Sequence, residues 1–316
     1  MTTPAGPPIM RLGAAFWLQG AAWPELRAAA VAAEEAGFDS LWVDDHLLND
    51  EGDPEAPKLE AWTTLAALAA VTSRARLGLL VGANTLRNPG LVAKMAVTLD
   101  EVSGGRLTLG LGAGWMESEH RAFGFDFGSS PGERLDRLEE SVSLIRRLLG
   151  GERVTHRGRF YRLEDAVVRP GPRGGAIPVL IGGSGRRKTL RIVAQHADLW
   201  NGYGEPAEIR DACTILDADC AAVGRDPSAI ARTVTVNVVV RDDRDGALAA
   251  FETYARRHAM QPGEDRPDIA GSAAQVAAGL AAYAAVGVTQ AFWVFRVPWD
   301  LETIRRAPEV RTLRAG

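Results

Sequence analysis

The chain has 316 residues, of which 46% are hydrophobic, so it can bury one large core or two ordinary ones. Its 36 basic and 40 acidic side chains leave a formal net charge of −4, which gives no reason to expect a nucleic-acid or anionic-membrane partner. Cys213 and Cys220 are the only cysteines and lack the spacing of a CxxC motif or a zinc site, so we expect two buried thiols and no metal.

The first ten residues, MTTPAGPPIM, have neither the basic start nor the apolar core of a secretory signal. The most apolar long stretch covers residues 273–295, but polar residues and glycines interrupt it. This stretch therefore predicts a core helix and a core strand rather than a membrane span. We expect a cytoplasmic protein without a membrane segment.

Short apolar runs alternate with helical patterns along the first half of the chain. The predicted strands cover residues 10–17, 39–43, 76–83 and 107–111. The predicted helices run from Pro24 to Gly37, over residues 61–71, from Asn88 and Pro89 to Gly104, and from a capping box at Ser130 to Leu149. A strand, a helix and a second buried strand in this order predict parallel neighbours joined by a crossover.

Two segments interrupt the alternation before it resumes. Residues 115–132 are irregular and aromatic, and residues 151–175 contain a hairpin at 154–163 that turns at Arg157 and Gly158. The later predicted strands cover residues 178–181, 198–201, 233–240 and 290–294. The later predicted helices run from the loop 182–185 to Ala197, over 206–223 and 246–260, from Ser272 after a polar loop at 261–271, and over 301–306.

Eight strand–helix alternations with no low-complexity linker predict an α/β protein, a single (β/α)8 TIM barrel over residues 1–316. We expect insertions after strand four and before strand five, at about residues 115–132 and 151–177, and a further one at about 258–271.

In such a barrel, the active site is built from loops at the C-terminal ends of the strands. Five of these loops carry polar or glycine-rich residues, and glycines let backbone approach a flat ligand closely. The candidate cofactor-binding residues from these loops are Gly82, Ala83, Asn84, Gly112, Ala113, Gly114, Trp115, Gly182, Gly183, Ser184, Gly185, Trp200 and Asn201, and Asp44, Asp45 and His46 occupy the loop after strand two.

The loop from Gly182 to Gly185 is the best candidate for an anion site, because its backbone N–H groups precede a predicted helix start. Arg186, Arg187 and Lys188 follow, and three cations there would oppose the helix dipole unless an anion bound. The alternative is a solvated charge run on a tight turn. We favour phosphate binding, with Arg186 as a further cofactor contact.

The glycines between 110 and 114 also invite a dinucleotide-binding interpretation. The GxGxxG fingerprint would need glycine at position 115, where Trp115 stands, and no acidic strand end follows at the expected distance. We therefore expect these glycines to accommodate a planar ring instead.

His46 is the candidate catalytic residue, because it follows a strand directly and adjoins Asp44 and Asp45, which could fix its tautomer. Its ordinary pKa range suits the transfer of a proton that accompanies a hydride. The alternative is a structural histidine, and that role is expected for the other four histidines, at positions 120, 156, 196 and 258.

The chain resembles the bacterial luciferase-like superfamily, and within it the deazaflavin (coenzyme F420)-dependent oxidoreductases. The matching segments are AEEAGFDSLWVDDH (33–46), EAWTTLAALAAVTSRARLG (60–78), RNPGLVAKMAVTLDEVSGGRLTLGLGAGW (87–115), PGERLDRLEES (131–141), IGGSG (181–185) and HADLWN (196–201). They span about residues 10 to 225 in a consistent order, and the last ninety or so residues fit more loosely.

The resemblance implies a deazaflavin or flavin ring at the C-terminal mouth of the barrel. It implies a non-proline cis peptide bond at Leu80–Val81 or an immediate neighbour, against the back of the ring. It also implies that the 182–184 loop holds the cofactor phosphate and that His46 acts as acid or base. Relatives are often dimers, so a homodimer is expected.

The resemblance includes one departure. Sugar-phosphate dehydrogenases of this family carry a glutamate where this chain has Trp115, with Glu117 and Glu119 beyond. We therefore predict an F420-dependent oxidoreductase of an unidentified organic small molecule, with loops 115–132 and 258–271 covering the mouth. The alternatives are an FMN-dependent monooxygenase and a non-catalytic flavin-binding relative.

Overall fold

The computed structural model of the protein describes residues 10–50, 53, 55–257 and 267–314. The helices are α1 (Trp23–Glu35), α2 (Ala61–Val71), α3 (Pro89–Ser103), α4 (Glu117–Phe123), α5 (Pro131–Leu149), α6 (Thr189–His196), α7 (Pro206–Ala222), α8 (Arg244–Arg257), α9 (Ala273–Ala285) and α10 (Leu301–Arg314). The strands are β1 (Arg11–Phe16), β2 (Ser40–Val43), β3 (Arg76–Leu79), β4 (Gly82–Ala83), β5 (Leu107–Gly112), β6 (Val154–Arg157), β7 (Arg162–Ala166), β8 (Val179–Gly182), β9 (Leu199–Gly202), β10 (Ala231–Val236), β11 (Val238–Val240), β12 (Ile269–Gly271) and β13 (Val288–Phe295).

Eight of these strands form a closed, all-parallel barrel in the order β1, β2, β3, β5, β8, β9, β10 and β13. The barrel closes where β13 pairs with β1, with Gln290 opposite Arg11 and Phe295 opposite Phe16. Helices connect the successive strands, so the predicted (β/α)8 TIM barrel is confirmed.

The barrel interior is filled by large side chains that require glycine opposite them. Ala15, Trp42, Leu80, Leu180 and Phe292 form a buried cluster separate from the core beneath the helices. A Cβ added to Gly78 would lie 2.2 Å from the Trp42 ring, and one added to Gly13 would lie 2.5 Å from the Phe292 ring. Strands β1 and β3 thus carry glycine where the opposing indole or phenyl ring needs the space.

The predicted strand at 76–83 is divided in two. The Leu80–Val81 peptide bond is cis, as the family resemblance implied, and it separates β3 from β4. The short β4 continues alongside β5, with Gly82 opposite Leu111.

Both insertions between β5 and β8 are present, and the first differs from its prediction. The segment 115–132 is not wholly irregular, because α4 lies within it. The second contains the predicted hairpin, in which Arg157 pairs with Arg162 across β6 and β7. The Glu140 carboxylate on α5 accepts hydrogen bonds from the backbone N–H groups of Phe160 and Tyr161, which attaches the hairpin to the barrel.

The predicted strand 233–240 also proved to be two strands. Strand β10 stays in the barrel, whereas β11 leaves it and pairs in parallel with β12, whose residues were predicted to be polar loop. Together with α8 these strands bury a small apolar cluster of Val239, Ala247, Phe251, Ala255 and Ala270. Residues 258–266, which include the end of the helix predicted at 246–260 and the start of the loop predicted at 261–271, lie outside the described residues.

Two further predictions concern the cysteines and the absence of a membrane-spanning helix. Cys213 and Cys220 are both free and buried, as predicted. Across the described ranges no helix is both long enough and apolar enough to cross a bilayer.

Candidate active site

A cavity of about 400 Å³ opens at the C-terminal ends of the barrel strands. This volume falls in the usual range for small-molecule sites. The cavity is lined by Trp17, Asp44, Asp45, His46, Asp50, Leu80, Val81, Ala83, Gly112, Ala113, Gly114, Trp115, Leu135, Gly182, Gly183, Thr189 and Tyr203. Apart from Leu135 on α5 and Thr189 at the start of α6, these residues end or closely follow six different barrel strands.

The strand ends that the sequence predicted to converge do lie together. Gly82 at the end of β4 pairs with Leu111, and Leu111 pairs with Ile181 of β8. Since the three strands are parallel, residues 82, 112 and 183 all lie at the same end of the barrel.

The side chain of Val81 accounts for the presence of glycine at two positions at this end of the barrel. A Cβ on Gly112 would lie 2.6 Å from Val81 Cγ2, and a Cβ on Gly182 would lie 2.9 Å from Val81 Cγ1. Glycines at these strand ends predict the close approach of a flat ligand. In the structure it is the Val81 isopropyl group that occupies the space a Cβ would need.

His46 forms a hydrogen-bonded pair with a residue distant in sequence. Its Nδ1 lies 3.1 Å from Glu119 Oε1, while Glu119 Oε2 accepts the backbone N–H of Leu47 at 2.7 Å. Helix α4 supplies Glu119, whose side chain is fully buried. In the sequence, Glu119 stands out only as an acidic residue beyond Trp115, and nothing there indicates a function for it.

The two groups shift each other's protonation equilibria. Burial disfavours the charged form of His46, but the hydrogen bond and charge of Glu119, with Asp44 and Asp50 nearby, outweigh burial and raise the pKa of His46. Burial likewise opposes ionisation of Glu119, yet the hydrogen bonds from His46 and Leu47 lower the pKa of that carboxyl overall. The arrangement favours a carboxylate beside a histidine that readily takes up a proton.

The expectation that Asp44 and Asp45 fix the His46 tautomer is wrong. Asp44 Oδ2 lies 2.6 Å from Lys58 Nζ, and Asp45 accepts two N–H groups of Arg87 at 2.6 and 3.1 Å. Both carboxylates are therefore engaged by cations behind the cavity wall. Adjacency in sequence was misleading because successive residues at a strand end point in different directions.

Trp115 and α4 form the outer edge of the cavity. The Trp115 side chain is 61% exposed, and its ring stands nearly perpendicular to His46 at a centroid distance of 5.3 Å. Helix α4 is held by the buried His120, whose Nδ1 donates to the Met116 carbonyl at 2.8 Å and whose Nε2 lies 2.6 Å from Thr85 Oγ1. His120 therefore has the structural role expected of it.

The predicted anion loop differs from its expected geometry. Helix α6 begins at Thr189 rather than directly after Gly185, and the Gly183 N–H donates to the Asn201 carbonyl at 3.1 Å. Lys188 forms an ion pair with Asp136 and donates to the Gly132 carbonyl at 2.9 Å. Of the three consecutive cations, Arg186 and Arg187 remain exposed, as do the neighbouring residues 184 and 185, and none of these four residues lines the cavity.

Three predicted cofactor residues have side chains that lie behind the cavity wall. The fully buried Trp200 donates from Nε1 to the Gly183 carbonyl at 2.9 Å, and the fully buried Asn201 donates to Thr235 Oγ1 at 3.0 Å. Asn84 is also buried and donates to the Tyr161 hydroxyl at 3.0 Å. These three side chains support the strand ends and do not line the cavity, and Gly82, which is also buried, does not line it either.

Sequence reasoning assigned no site role to several lining residues, among them Asp50, Leu135, Thr189 and Tyr203. Tyr203 directly follows β9, so the same strand-end rule that selected Asn201 could have identified it. Within the described part of the chain, no group of acidic, histidine or cysteine residues is arranged to hold a metal ion.

Comparison with known proteins gives consistent matches. A family model described as luciferase-like monooxygenase matches residues 9–268. The F420-dependent glucose-6-phosphate dehydrogenase of Microbacterium testaceum is 35% identical over 241 residues, covering 73% of this chain and 68% of that protein. A solved F420-dependent secondary alcohol dehydrogenase, in complex with an F420–acetone adduct, aligns with a TM-score of 0.83 at 21% identity, covering 96% of this chain and 99% of that one. A riboflavin lyase with modified FMN and riboflavin aligns at 0.80 with 16% identity, covering 96% and 91%.

Proposed function

Since the chain belongs to the luciferase-like monooxygenase family, we propose that it is an oxidoreductase that transfers a hydride between coenzyme F420 and an organic substrate at the C-terminal mouth of its barrel. The observation that carries the proposal is the His46–Glu119 pair on the wall of a cavity backed by the cis Leu80–Val81 bond. The names of related F420-dependent dehydrogenases support F420 as the cofactor.

The residues present fit a deazaflavin. Val81 projects between the tips of β5 and β8, and the adjoining cavity wall contains the small residues Ala83, Gly112 and Ala113. This wall would hold the flat face of the ring, since no large side chain from these positions intrudes. Arg186 and Arg187 are exposed and follow the loop from Gly182 to Gly185, and they would meet the anionic tail of the cofactor.

When bound, F420 supplies the hydride acceptor or donor. His46 moves the accompanying proton: Nδ1 is engaged by Glu119, which leaves Nε2 to exchange a proton with the substrate oxygen. The Glu119 carboxylate stabilises the positive charge that His46 acquires. Trp115 shields this proton exchange from water at the outer edge of the cavity.

The proposal is tested by titrating the purified protein with F420 and with FMN while following the quenching of tryptophan fluorescence. Trp17 and Trp115 line the cavity and act as reporters. We expect F420 to bind in the micromolar range and FMN to bind negligibly. The opposite ranking would instead favour an FMN-dependent monooxygenase, and tight binding of either without any turnover would favour a non-catalytic relative.

We also propose that the protein is a cytoplasmic homodimer that acts on small molecules and binds no nucleic acid. The overall negative charge supports the last point. Leu91 and Val102 are both exposed on α3. They are eleven residues apart, which is about three helical turns, so they lie on the same face of the helix. An exposed apolar face of this kind suits a subunit contact. Light scattering of the purified protein tests the dimer directly.

A further inference from the structure

The charge around His46 is uneven. Of the described residues that line the cavity, none is lysine or arginine, whereas three are aspartates from the segment after β2. Lys58 and Arg87 neutralise Asp44 and Asp45 from behind. Asp50, by contrast, accepts a hydrogen bond at 2.5 Å from the neutral amide of Gln19. The wall beside His46 is therefore negative on balance, and a phosphate group there would be repelled.

The cavity also has an exposed aromatic surface. Trp115 is 61% exposed and lines the outer edge of the cavity. Trp17, Leu135 and Tyr203 line the same cavity. An indole held in this way gains free energy when an apolar group covers it, because water is displaced from both surfaces.

From these two features we propose that the substrate is an uncharged alcohol, or the corresponding carbonyl compound, whose aryl or alkyl group stacks on Trp115, and that phosphorylated substrates are rejected. The inference rests on the proposed F420-dependent function and narrows its substrate class. In the oxidative direction the carbinol C–H bond breaks and its hydride reduces F420. The hydroxyl proton passes to His46, and the C=O double bond forms.

The substrate class differs from that in the name of the related glucose-6-phosphate dehydrogenase. A sugar phosphate carries two negative charges and little apolar surface. It would need cations that the described cavity wall does not contain, and it would leave Trp115 uncovered. Trp115 and Asp50 thus act as specificity-determining residues, one by attraction and the other by repulsion.

The test uses a matched pair of ligands, 1-phenylethanol and its phosphate monoester, titrated by calorimetry into the protein loaded with reduced F420, which cannot oxidise the alcohol. We expect the alcohol to bind at least tenfold more tightly than the ester. Trp115→Ala should weaken binding of the alcohol by roughly tenfold, the loss expected for one aromatic stacking contact. Asp50→Asn should improve binding of the ester and so reduce the ratio of the two affinities.

Phe123→Ala is the matched control, because Phe123 is a similarly exposed aromatic residue that does not line the cavity. It should leave both affinities unchanged. Equal or tighter binding of the ester, or an alcohol affinity indifferent to Trp115→Ala, would overturn the substrate assignment. The same ligands are also titrated into the protein without F420. If F420 fails to bind, the proposed function is contradicted, and the preference between the two ligands still decides the substrate class.

Discussion

The carboxylate of Glu119 lies 3.1 Å from Nδ1 of His46, although 73 residues separate the two along the chain. The pair exists because α4 folds across the mouth of the barrel and is held there by His120 and Thr85. A helix inserted after β5 thereby sets the protonation behaviour of a side chain that follows β2.

Replacing His46 by alanine removes the proposed proton carrier. We expect turnover with F420 to fall by roughly 100- to 10,000-fold, the usual contribution of a general acid–base group. The affinity for F420 should change much less, because the ring would still rest on Val81 and the glycine-rich strand ends. Steady-state kinetics measure the turnover, and fluorescence titration measures the affinity for F420. Undiminished turnover would exclude His46 from the mechanism.

Replacing Glu119 by glutamine keeps a hydrogen-bonding oxygen but removes the negative charge that raises the pKa of His46. His46 must be neutral to accept a proton during oxidation, so kcat/KM rises as the pH passes through its pKa. The variant should therefore show this rise at lower pH than the wild type. NMR titration of the His46 ring is the independent measurement, and an unmoved pKa would contradict the account.

The same pair makes stability depend on pH in a defined window. The raised pKa of His46 stabilises the fold below the unfolded-state value, and this contribution is lost as the pH rises through the folded-state pKa. The lowered pKa of Glu119 stabilises above its unfolded-state value, and this contribution is lost as the pH falls through the folded-state pKa. The stability advantage of wild type over Glu119→Gln should thus be largest between about pH 4.3 and 6.5. Urea unfolding across pH measures it.

Gly112→Ala should destabilise the barrel by about 1–3 kcal/mol, because the new Cβ would lie 2.6 Å from Val81 Cγ2 in a packed site. The double variant with Val81→Ala should recover part of this loss. Gly132→Ala is the control: it lies at the start of α5 with only Ser130 Oγ near its Cβ, at 3.8 Å. The control should be neutral or slightly stabilising. Equal melting temperatures for both single variants would refute the packing argument.

Thr85→Val should cost about 1–3 kcal/mol, since it leaves a nitrogen of the fully buried His120 without its hydroxyl partner. Because His120 anchors the helix that carries Glu119, the pH dependence of activity should change as well. Thr98→Val on the exposed face of α3 is a suitable comparison, where the hydroxyl bonds only its own helix. A Thr85 variant that behaves like the Thr98 variant would show that α4 is fixed in another way.

The barrel could be predicted from sequence because each of its strands is a short buried run with local stop signals. Gly37 and Gly104, for example, both adopt positive φ where the sequence predicted helix ends. Strand β12 escaped prediction, since three residues are too few to show a periodic pattern. Its partner β11 was predicted as a continuation of β10, because no local signal in the sequence marks the point where a strand leaves a barrel.

For the candidate site, the sequence predicted which strand ends would converge but not the contacts between their side chains. Strand-end residues gathered where the fold rule places them, and the cis bond lies at Leu80–Val81 as the resemblance implied. Pairings such as His46 with Glu119 depend on tertiary packing, which local spacing does not encode. The start of α6 was placed too early, because Gly182–Gly185 resembled a helix-opening loop while the chain takes a further turn through Lys188.

The contact of Val81 with both Gly112 and Gly182 bears on attempts to redesign this protein for other cofactors. Three strands meet at one isopropyl group, so a bulkier residue at either glycine has to be matched by a smaller one at position 81. Screening libraries that vary one position at a time would discard nearly every workable combination here. A search for new redox chemistry on this scaffold should therefore randomise the three codons together.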